Sequence, residues 1–220
     1  MQYQQITMAL SITLILVIIT SIVSIGGFNS EKIKNDLIFY PPSINRGQLY
    51  RFITHGFIHA DPMHLIFNML AFYSFGEVVE IMFQYPVVFG TNGKIIYLVL
   101  YFSALIVASI PDYIKHRNNE YYRSLGASGA VSAVIFSSIL FNPTAGIGFA
   151  LIPGISIPGY IFGILYLVVS SVLAKKAQDN IGHSAHITGA VYGLLFTYTA
   201  TKLFTDIDIL KIFWTQVTGR

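Results

Sequence analysis

Two polar residues stand in apolar stretches of this chain, where a hydroxyl or an imidazole is costly. Ser128 lies in the segment GASG at residues 126–129, and His186 lies in AHITG at residues 185–189. Polar groups inside a bilayer are rare without a partner or a task. A serine becomes a nucleophile when a neighbouring base, usually histidine, takes its proton. The pair therefore predicts a serine hydrolase built inside a membrane, with Ser128 and His186 as its catalytic residues.

A second set of polar residues precedes this pair. His64 and Asn68 are four residues apart, so in a helix they lie one turn apart on one face. His59 comes just before them in a loop. We predict that these side chains, with the N–H of Ser128 at the start of its helix, bind substrate and the oxyanion of a reacting carbonyl. Hydrogen bonding to neighbouring helices is the other explanation for His64 and Asn68.

Small residues accompany both catalytic candidates. Gly126 and Gly129 flank Ser128, as expected where a substrate backbone must come close. Small or polar residues also recur along one face of two spans: Gly129, Ala133 and Ser137 in one, and His186, Gly189, Gly193 and Thr197 in the other. Such ridges let helix backbones approach closely in lipid. We predict that the two helices meet along them, with the hydroxyl within hydrogen-bond reach of the imidazole.

Composition indicates which elements must position these residues. The chain has 220 residues, of which 54% are hydrophobic and 10% charged, whereas soluble domains carry about 25% charged residues. No charge falls in residues 1–30 or 124–174. We predict one all-α membrane domain over residues 1–220, with a structured interfacial first loop. Its six transmembrane helices are expected at about residues 6–25, 63–83, 95–110, 127–141, 157–174 and 182–203.

Other features of the sequence exclude some kinds of chemistry and predict the structure of two connecting segments. The chain has no cysteine, which excludes disulfides, thiolate metal sites and a cysteine nucleophile. Its net charge of +3 is scattered and forms no basic stripe, so a nucleic-acid partner is not expected. No metal or cofactor is implied. The aromatic-rich insert at residues 28–62 predicts a folded loop at the interface, and the proline- and glycine-rich residues 142–158 predict a turn.

These motifs, taken in order, resemble those of the rhomboid intramembrane serine proteases. The matching segments are HADPMHLIFN at 59–68, GASG at 126–129, AHITGAVYG at 185–193, Tyr50-Arg51 with tyrosine in place of tryptophan, Gly76 and Glu80. The resemblance implies a six-helix rhomboid-like bundle with a Ser–His dyad and no aspartate. Ser128 would attack a peptide carbonyl, and His186 would act as base and then as acid. The implied partners are the lipid bilayer and transmembrane protein substrates, cleaved near the outer membrane face.

This chain departs from the family pattern in two ways. Bacterial relatives often carry an aromatic ring four residues after the nucleophile, packed against the histidine, and this chain has Ser132 there. The orientation of His186 must therefore come from elsewhere. The second departure is the charge distribution, since loops after the first, third and fifth spans carry nine Lys and Arg and the opposite side four. The positive-inside rule favours a cytoplasmic first loop, whereas the family places that loop and the active site outside.

We follow the resemblance and expect a multi-pass protein of the bacterial inner membrane, with its active site toward the outer face. Two other functions stay open at this point. One is a non-catalytic rhomboid-like binder of transmembrane helices, although such proteins usually lose the serine or the histidine. The other is a small proton or ion transporter that uses His64 and His186, although the chain shows no inverted repeat.

Overall fold

The protein is a bundle of apolar helices arranged around one short, buried helix. The computed structural model describes residues 11–149, 152–176 and 182–220. Its helices are α1 (Ile12–Asn29), α2 (Glu31–Leu37), α3 (Pro41–Asn45), α4 (Arg51–Thr54), α5 (Pro62–Gln84), α6 (Gly93–His116), α7 (Ser128–Phe141), α8 (Gly159–Lys176), α9 (His183–Phe204) and α10 (Ile209–Thr218). Two strands, β1 (Gly146–Phe149) and β2 (Ile152–Pro158), separate α7 from α8. The predicted start of the first span, at residue 6, lies outside the described residues.

The apolar helices confirm the predicted helical membrane architecture. Within the described ranges, three segments are long and apolar enough to cross a bilayer: Ile12–Asn29, Pro62–Gln84 and Gly90–His116. Shorter apolar helices cover Ser128–Phe141 and Gly159–Leu173. The count of six crossings stays a prediction.

The region predicted as a turn at residues 142–158 is more regular than expected. The strands β1 and β2 pair antiparallel, with Gly146 opposite Pro158 and Ile147 opposite Ile157. Proline and glycine obscure this pairing in the sequence because both residues are typical of turns. The architecture is therefore helical with one small hairpin at the end of α7.

The short helix α7 is the centre of the bundle. Its residues from Gly129 to Leu140 are all buried, as expected for a helix that is apolar on every side. Fourteen residues span about 21 Å, less than the roughly 30 Å of a hydrocarbon core. At least one end of α7 therefore lies below the membrane surface, and α5, α6 and α9 pack around it.

The predicted ridges of α7 and α9 meet in register. Three contacts follow at one-turn intervals: a Cβ on Gly189 would lie 2.0 Å from the Gly129 carbonyl oxygen, a Cβ on Gly193 would lie 2.1 Å from that of Ala133, and Thr197 Oγ1 donates to Ser137 Oγ at 2.7 Å. Only glycine permits so close a backbone contact. The prediction of a close, parallel α7–α9 pair is confirmed.

The first loop is folded, as its aromatic content predicts. It contains α2, α3 and α4. The buried Arg51 guanidinium donates from Nη1 to the carbonyl oxygens of Asn35 at 2.9 Å and Ile38 at 2.7 Å. Thr54 Oγ1 donates to the Leu37 carbonyl at 2.9 Å. These bonds satisfy backbone groups that would otherwise be orphaned, and they hold the loop against the bundle.

Candidate active site

A cavity of about 740 Å³ opens among the first loop, α5, α6 and the first turns of α7 and α9. Six of the seven predicted site residues line it: Ser128, His186, His64, Asn68, Gly126 and Gly129. The cavity also receives side chains that the sequence did not single out, among them His55, Ser109 and Asp112. The structure therefore brings residues from five separate segments to one cavity, and His59 is the predicted residue that does not line it.

Ser128 and His186 occupy the first turns of parallel helices in direct contact. Ser128 begins α7, and His186 is the fourth residue of α9. Their neighbours in the chain touch, since a Cβ on Gly129 would lie 3.3 Å from the carbonyl oxygen of Ala185. The same Cβ would lie 2.6 Å from the Cβ of Ala108 on α6. Three helices thus converge beside the two residues, at the floor of the cavity that both line.

The loop before Ser128 is pinned to the first loop. Ser124 and Phe39 exchange backbone hydrogen bonds of 3.0 and 3.1 Å, and the Gly126 N–H donates to the His55 carbonyl at 2.9 Å. Gly126 has a φ of +108°, a conformation that favours glycine. A Cβ there would lie 2.9 Å from Cε1 of His64. Glycine at 126 therefore permits both the turn and the close approach of the His64 ring.

The start of α7 leaves amide groups available. The first N–H groups of a helix have no intrahelical partner and favour negative charge. The cap residue is Ala127, which makes no side-chain cap bond. Ser128, Gly129 and Ala130 all line the cavity. This end of α7 is suited to hold a negatively charged oxygen.

His64 and Asn68 project from the first two turns of α5. Asp61 caps the helix by accepting from the His64 N–H at 2.9 Å. Nδ1 of His64 accepts a long hydrogen bond of 3.5 Å from the Ala60 N–H, which assigns the proton of the neutral ring to Nε2. A Cβ on Gly126 would lie 3.0 Å from that Nε2. Asn68 donates from Nδ2 to the His64 carbonyl at 3.2 Å.

His59 lies behind His64 and outside the cavity lining. Its Nδ1 is 2.9 Å from Ser24 Oγ, which donates to the Phe57 carbonyl at 3.0 Å. Its ring meets that of His64 edge-on, with centroids 5.0 Å apart. Burial lowers the pKa of His59 to about 3, so the ring is neutral at ordinary pH. His59 therefore packs against the His64 ring outside the cavity lining, and its role in substrate binding stays a prediction.

An aromatic ring from α8 lies beside His186, and sequence reasoning missed it. The Tyr166 ring centroid is 6.2 Å from that of His186, with the planes tilted by 32°. Its hydroxyl is 2.6 Å from Ser132 Oγ, which donates to the Ser128 carbonyl at 2.7 Å. A second helix thus supplies a ring beside the histidine, and Ser132 links it to α7. No sequence signal marks Tyr166, because it is one of several aromatic residues in an apolar helix.

His55 was also missed. Its Nε2 is 3.0 Å from Ser109 Oγ, which donates to the Leu105 carbonyl at 2.8 Å. Burial lowers the pKa of His55 to about 4. The neutral ring joins the first loop to α6, while its backbone carbonyl holds Gly126. The available signal was that His55 lies a few residues before His59 and His64, but His55 lies outside the helical pattern that His64 and Asn68 share.

Comparison with known proteins places this arrangement in a family. The Rhomboid domain model matches residues 46–203, which is most of the chain. The chain belongs to the rhomboid family. It is therefore an integral membrane protein, and membership points to an intramembrane protease that acts on membrane proteins in a bilayer.

The curated rhomboid relatives are distant. The chain is 26% identical over 173 residues to RHOMBOID-like protein 12, mitochondrial, of Arabidopsis thaliana, a match that covers 74% of this chain and 50% of that protein. It is 26% identical over 183 residues to Rhomboid protease GlpG of Haemophilus influenzae, covering 76% and 78%. It is 25% identical over 167 residues to Putative rhomboid protease YdcA of Bacillus subtilis, covering 74% and 73%. The chain thus spans half the length of the plant relative and about three quarters of the two bacterial ones.

Proposed function

We propose that this protein is an intramembrane serine endopeptidase that cleaves transmembrane segments of membrane proteins with Ser128 and His186 as a catalytic dyad. One observation carries the proposal: α7 and α9 touch backbone to backbone, turn by turn, so that the two residues begin paired helices and line one cavity. The names of the bacterial relatives, which include rhomboid proteases, support the same reaction class.

In the acylation step, the Ser128 hydroxyl attacks the carbonyl carbon of the scissile peptide bond. His186 takes the hydroxyl proton as the new C–O bond forms, which gives a tetrahedral intermediate and an imidazolium. The imidazolium then donates its proton to the leaving nitrogen as the C–N bond breaks. The products are an ester on Ser128 and the amine end of the cleaved chain.

The negative oxygen of the intermediate requires donors that are already in place. The donors that we propose are the N–H groups at the start of α7 and the Nε2–H of His64, since these residues line the cavity. The Asn68 amide is the third candidate, after it turns from the His64 carbonyl. In other serine hydrolases the loss of one such donor costs about 10²–10³ in kcat.

Deacylation reverses the roles with water in place of the amine. His186 takes a proton from water, the hydroxide attacks the ester carbonyl, and the proton returns to Ser128 as the acid product leaves. Water must therefore reach the site. Polar groups of His64, Asn68 and Ser109 around the cavity are suited to hold it.

A regular transmembrane helix hides its carbonyl groups in its own hydrogen bonds. The scissile segment must therefore unwind locally before Ser128 can reach it. We expect cleavage at small residues beside helix-weakening ones, because such segments lose least on unwinding. We further propose that the protein lies in a bacterial inner membrane with the cavity toward the outer face.

The test is cleavage of a single-span model substrate by the purified full chain in detergent. We expect cleavage by the wild type and none by Ser128→Ala or His186→Ala. Ser103→Ala is the matched control, because it removes a hydroxyl on α6 that bonds Tyr192 of α9 rather than a group lining the cavity. It should cleave at the wild-type rate.

The same assay separates the other functions. A non-catalytic binder would retain the intact substrate, and a transporter would pass ions in liposomes without cleavage. Activity that persists in either the Ser128 or the His186 variant would overturn the dyad.

A further inference from the structure

The carboxylate of Asp112 is buried in the wall of the cavity and is unused by the chemistry above. Asp112 lies near the end of α6 and is 7% exposed. Its Oδ2 accepts from the Tyr122 hydroxyl at 2.7 Å, and its Oδ1 accepts from Ser184 Oγ. Among the described residues no Lys or Arg nitrogen lies within 4.0 Å of it. A buried carboxylate needs hydrogen-bond donors, and the hydroxyls of Tyr122 and Ser184 supply two of them.

The hydrogen bond from Tyr122 connects Asp112 to the loop that leads to Ser128. Tyr122 precedes Ser128 by six residues in the loop between α6 and α7. Its ring stacks flat on His116 of α6, with centroids 3.7 Å apart and planes 1° apart. Burial and the nearby Asp112 raise the pKa of the Tyr122 phenol, so it stays a donor. The loop that ends at Ser128 is thus fixed to α6 at its start.

The hydrogen bond from Ser184 connects Asp112 to the helical turn that carries His186. Ser184 lies in the first turn of α9, two residues before His186. The His186 N–H donates to the Gly182 carbonyl at 3.1 Å, so this turn is a formed helix. Tyr192 of α9 also donates to Ser103 Oγ of α6, two turns farther along. Asp112 is therefore a polar attachment of α9 to α6 at the level of the cavity.

We propose that Asp112 is a positioning residue: its two carboxylate oxygens fix the loop leading to Ser128 and the turn carrying His186, and so set the separation of the dyad. The proposal rests on the proposed function. Asp112 acts through Tyr122 and Ser184, and it is not assigned a contact with the reacting atoms. Hydrogen bonds to a carboxylate are shorter and stronger than neutral ones. They are therefore suited to hold together α6, the loop before α7 and the first turn of α9.

The experiment measures labelling of the full chain by a fluorophosphonate, which phosphonylates an activated serine and releases fluoride. The rate at saturation, kinact, and the half-saturating concentration, KI, are obtained separately. Because a misplacement of 1 Å can cost about 10²-fold, Asp112→Asn should lower kinact by about 10- to 100-fold, with KI within about twofold. Ser184→Ala should lower kinact in the same direction, and Ser184→Thr, which keeps the hydroxyl, should restore it.

The double variant tests whether Asp112 and Ser184 act as one unit. If they do, Asp112→Asn with Ser184→Ala should be no slower than Asp112→Asn alone by more than about twofold. Ser103→Ala removes the more distant α6–α9 bond and should leave kinact unchanged, which separates positioning from general loss of helix attachment. If Asp112→Asn does not fold, the comparison of Ser184→Ala with Ser184→Thr tests the positioning role instead.

Two results would overturn this inference alone: labelling of Asp112→Asn at the wild-type kinact, or losses in the two single variants that multiply in the double. Equal kinact in Ser184→Ala and Ser184→Thr would do the same. Failure of the wild type to label at Ser128 would instead defeat the proposed function, and the positioning role with it.

Discussion

Gly189 lies at a close backbone contact between α7 and α9, and its replacement by alanine should separate the catalytic pair. A Cβ at 189 would lie 2.0 Å from the carbonyl oxygen of Gly129, whereas ordinary van der Waals contact begins at 3.4 Å. Both groups belong to helix backbones, so no side-chain rotation relieves the overlap. The difference between 3.4 and 2.0 Å requires α9 to move from α7 by about 1.4 Å.

The replacement should lower both activity and stability. A displacement of 1 Å can cost about 10²-fold in rate, so Gly189→Ala should lower kinact for fluorophosphonate labelling by at least that factor. Overpacking costs about 1–3 kcal/mol, and the better helix propensity of alanine returns about 1 kcal/mol. The free energy of unfolding should therefore fall by no more than about 2 kcal/mol.

Two other glycines serve as matched variants. A Cβ on Gly26 of α1 would meet Ile33 Cδ1 at 3.5 Å, so Gly26→Ala should leave both labelling and thermal stability at or above wild type. A Cβ on Gly193 would lie 2.1 Å from the Ala133 carbonyl oxygen, one turn farther from the site, and Gly193→Ala should lose less activity than Gly189→Ala. Wild-type labelling and stability in Gly189→Ala would refute the close-contact reasoning.

Three further predictions concern the ring beside the base, acid stability and sidedness. Tyr166→Phe keeps the ring beside His186 but loses one hydroxyl bond, so it should cost less than about tenfold in kinact, and Tyr166→Ala should cost more. Equal losses would show that the ring contributes nothing. Because burial lowers the pKa of His55 to about 4, the contribution of His55 to stability should be full above pH 6.5 and fall by about 3 kcal/mol as the pH drops from 6.5 to 4. An unchanged pH dependence of thermal unfolding in His55→Gln would contradict this. In intact bacterial cells, an impermeant maleimide should label Tyr121→Cys, after α6, and spare Val87→Cys, before it. The reverse pattern would place the cavity on the cytoplasmic side.

The paired helices could be predicted because their signal is periodic. Gly189 and Gly193 repeat at the spacing of one helical turn, and Gly129 and Ala133 repeat in the same way. In lipid, such spacing has few uses other than close helix packing. The meeting of α7 and α9 follows from that pattern.

Contacts between distant segments could not be predicted in this way. Tyr166 lies in an apolar helix that contains other aromatic residues, and its place beside His186 depends on the rotation of α8. Asp112 follows an apolar stretch and resembles an ordinary helix-end carboxylate until Tyr122 and Ser184 are brought to it. His59 is close to His64 in the sequence, yet its Nδ1 lies beside Ser24 Oγ and its side chain does not line the cavity.

The most direct test of the Ser128–His186 dyad is to map fluorophosphonate adducts on the purified full chain by mass spectrometry. We predict one adduct, on the peptide that carries Ser128, which disappears in His186→Ala while that variant remains folded. An adduct on another serine, or equal labelling of Ser128 without His186, would contradict the dyad.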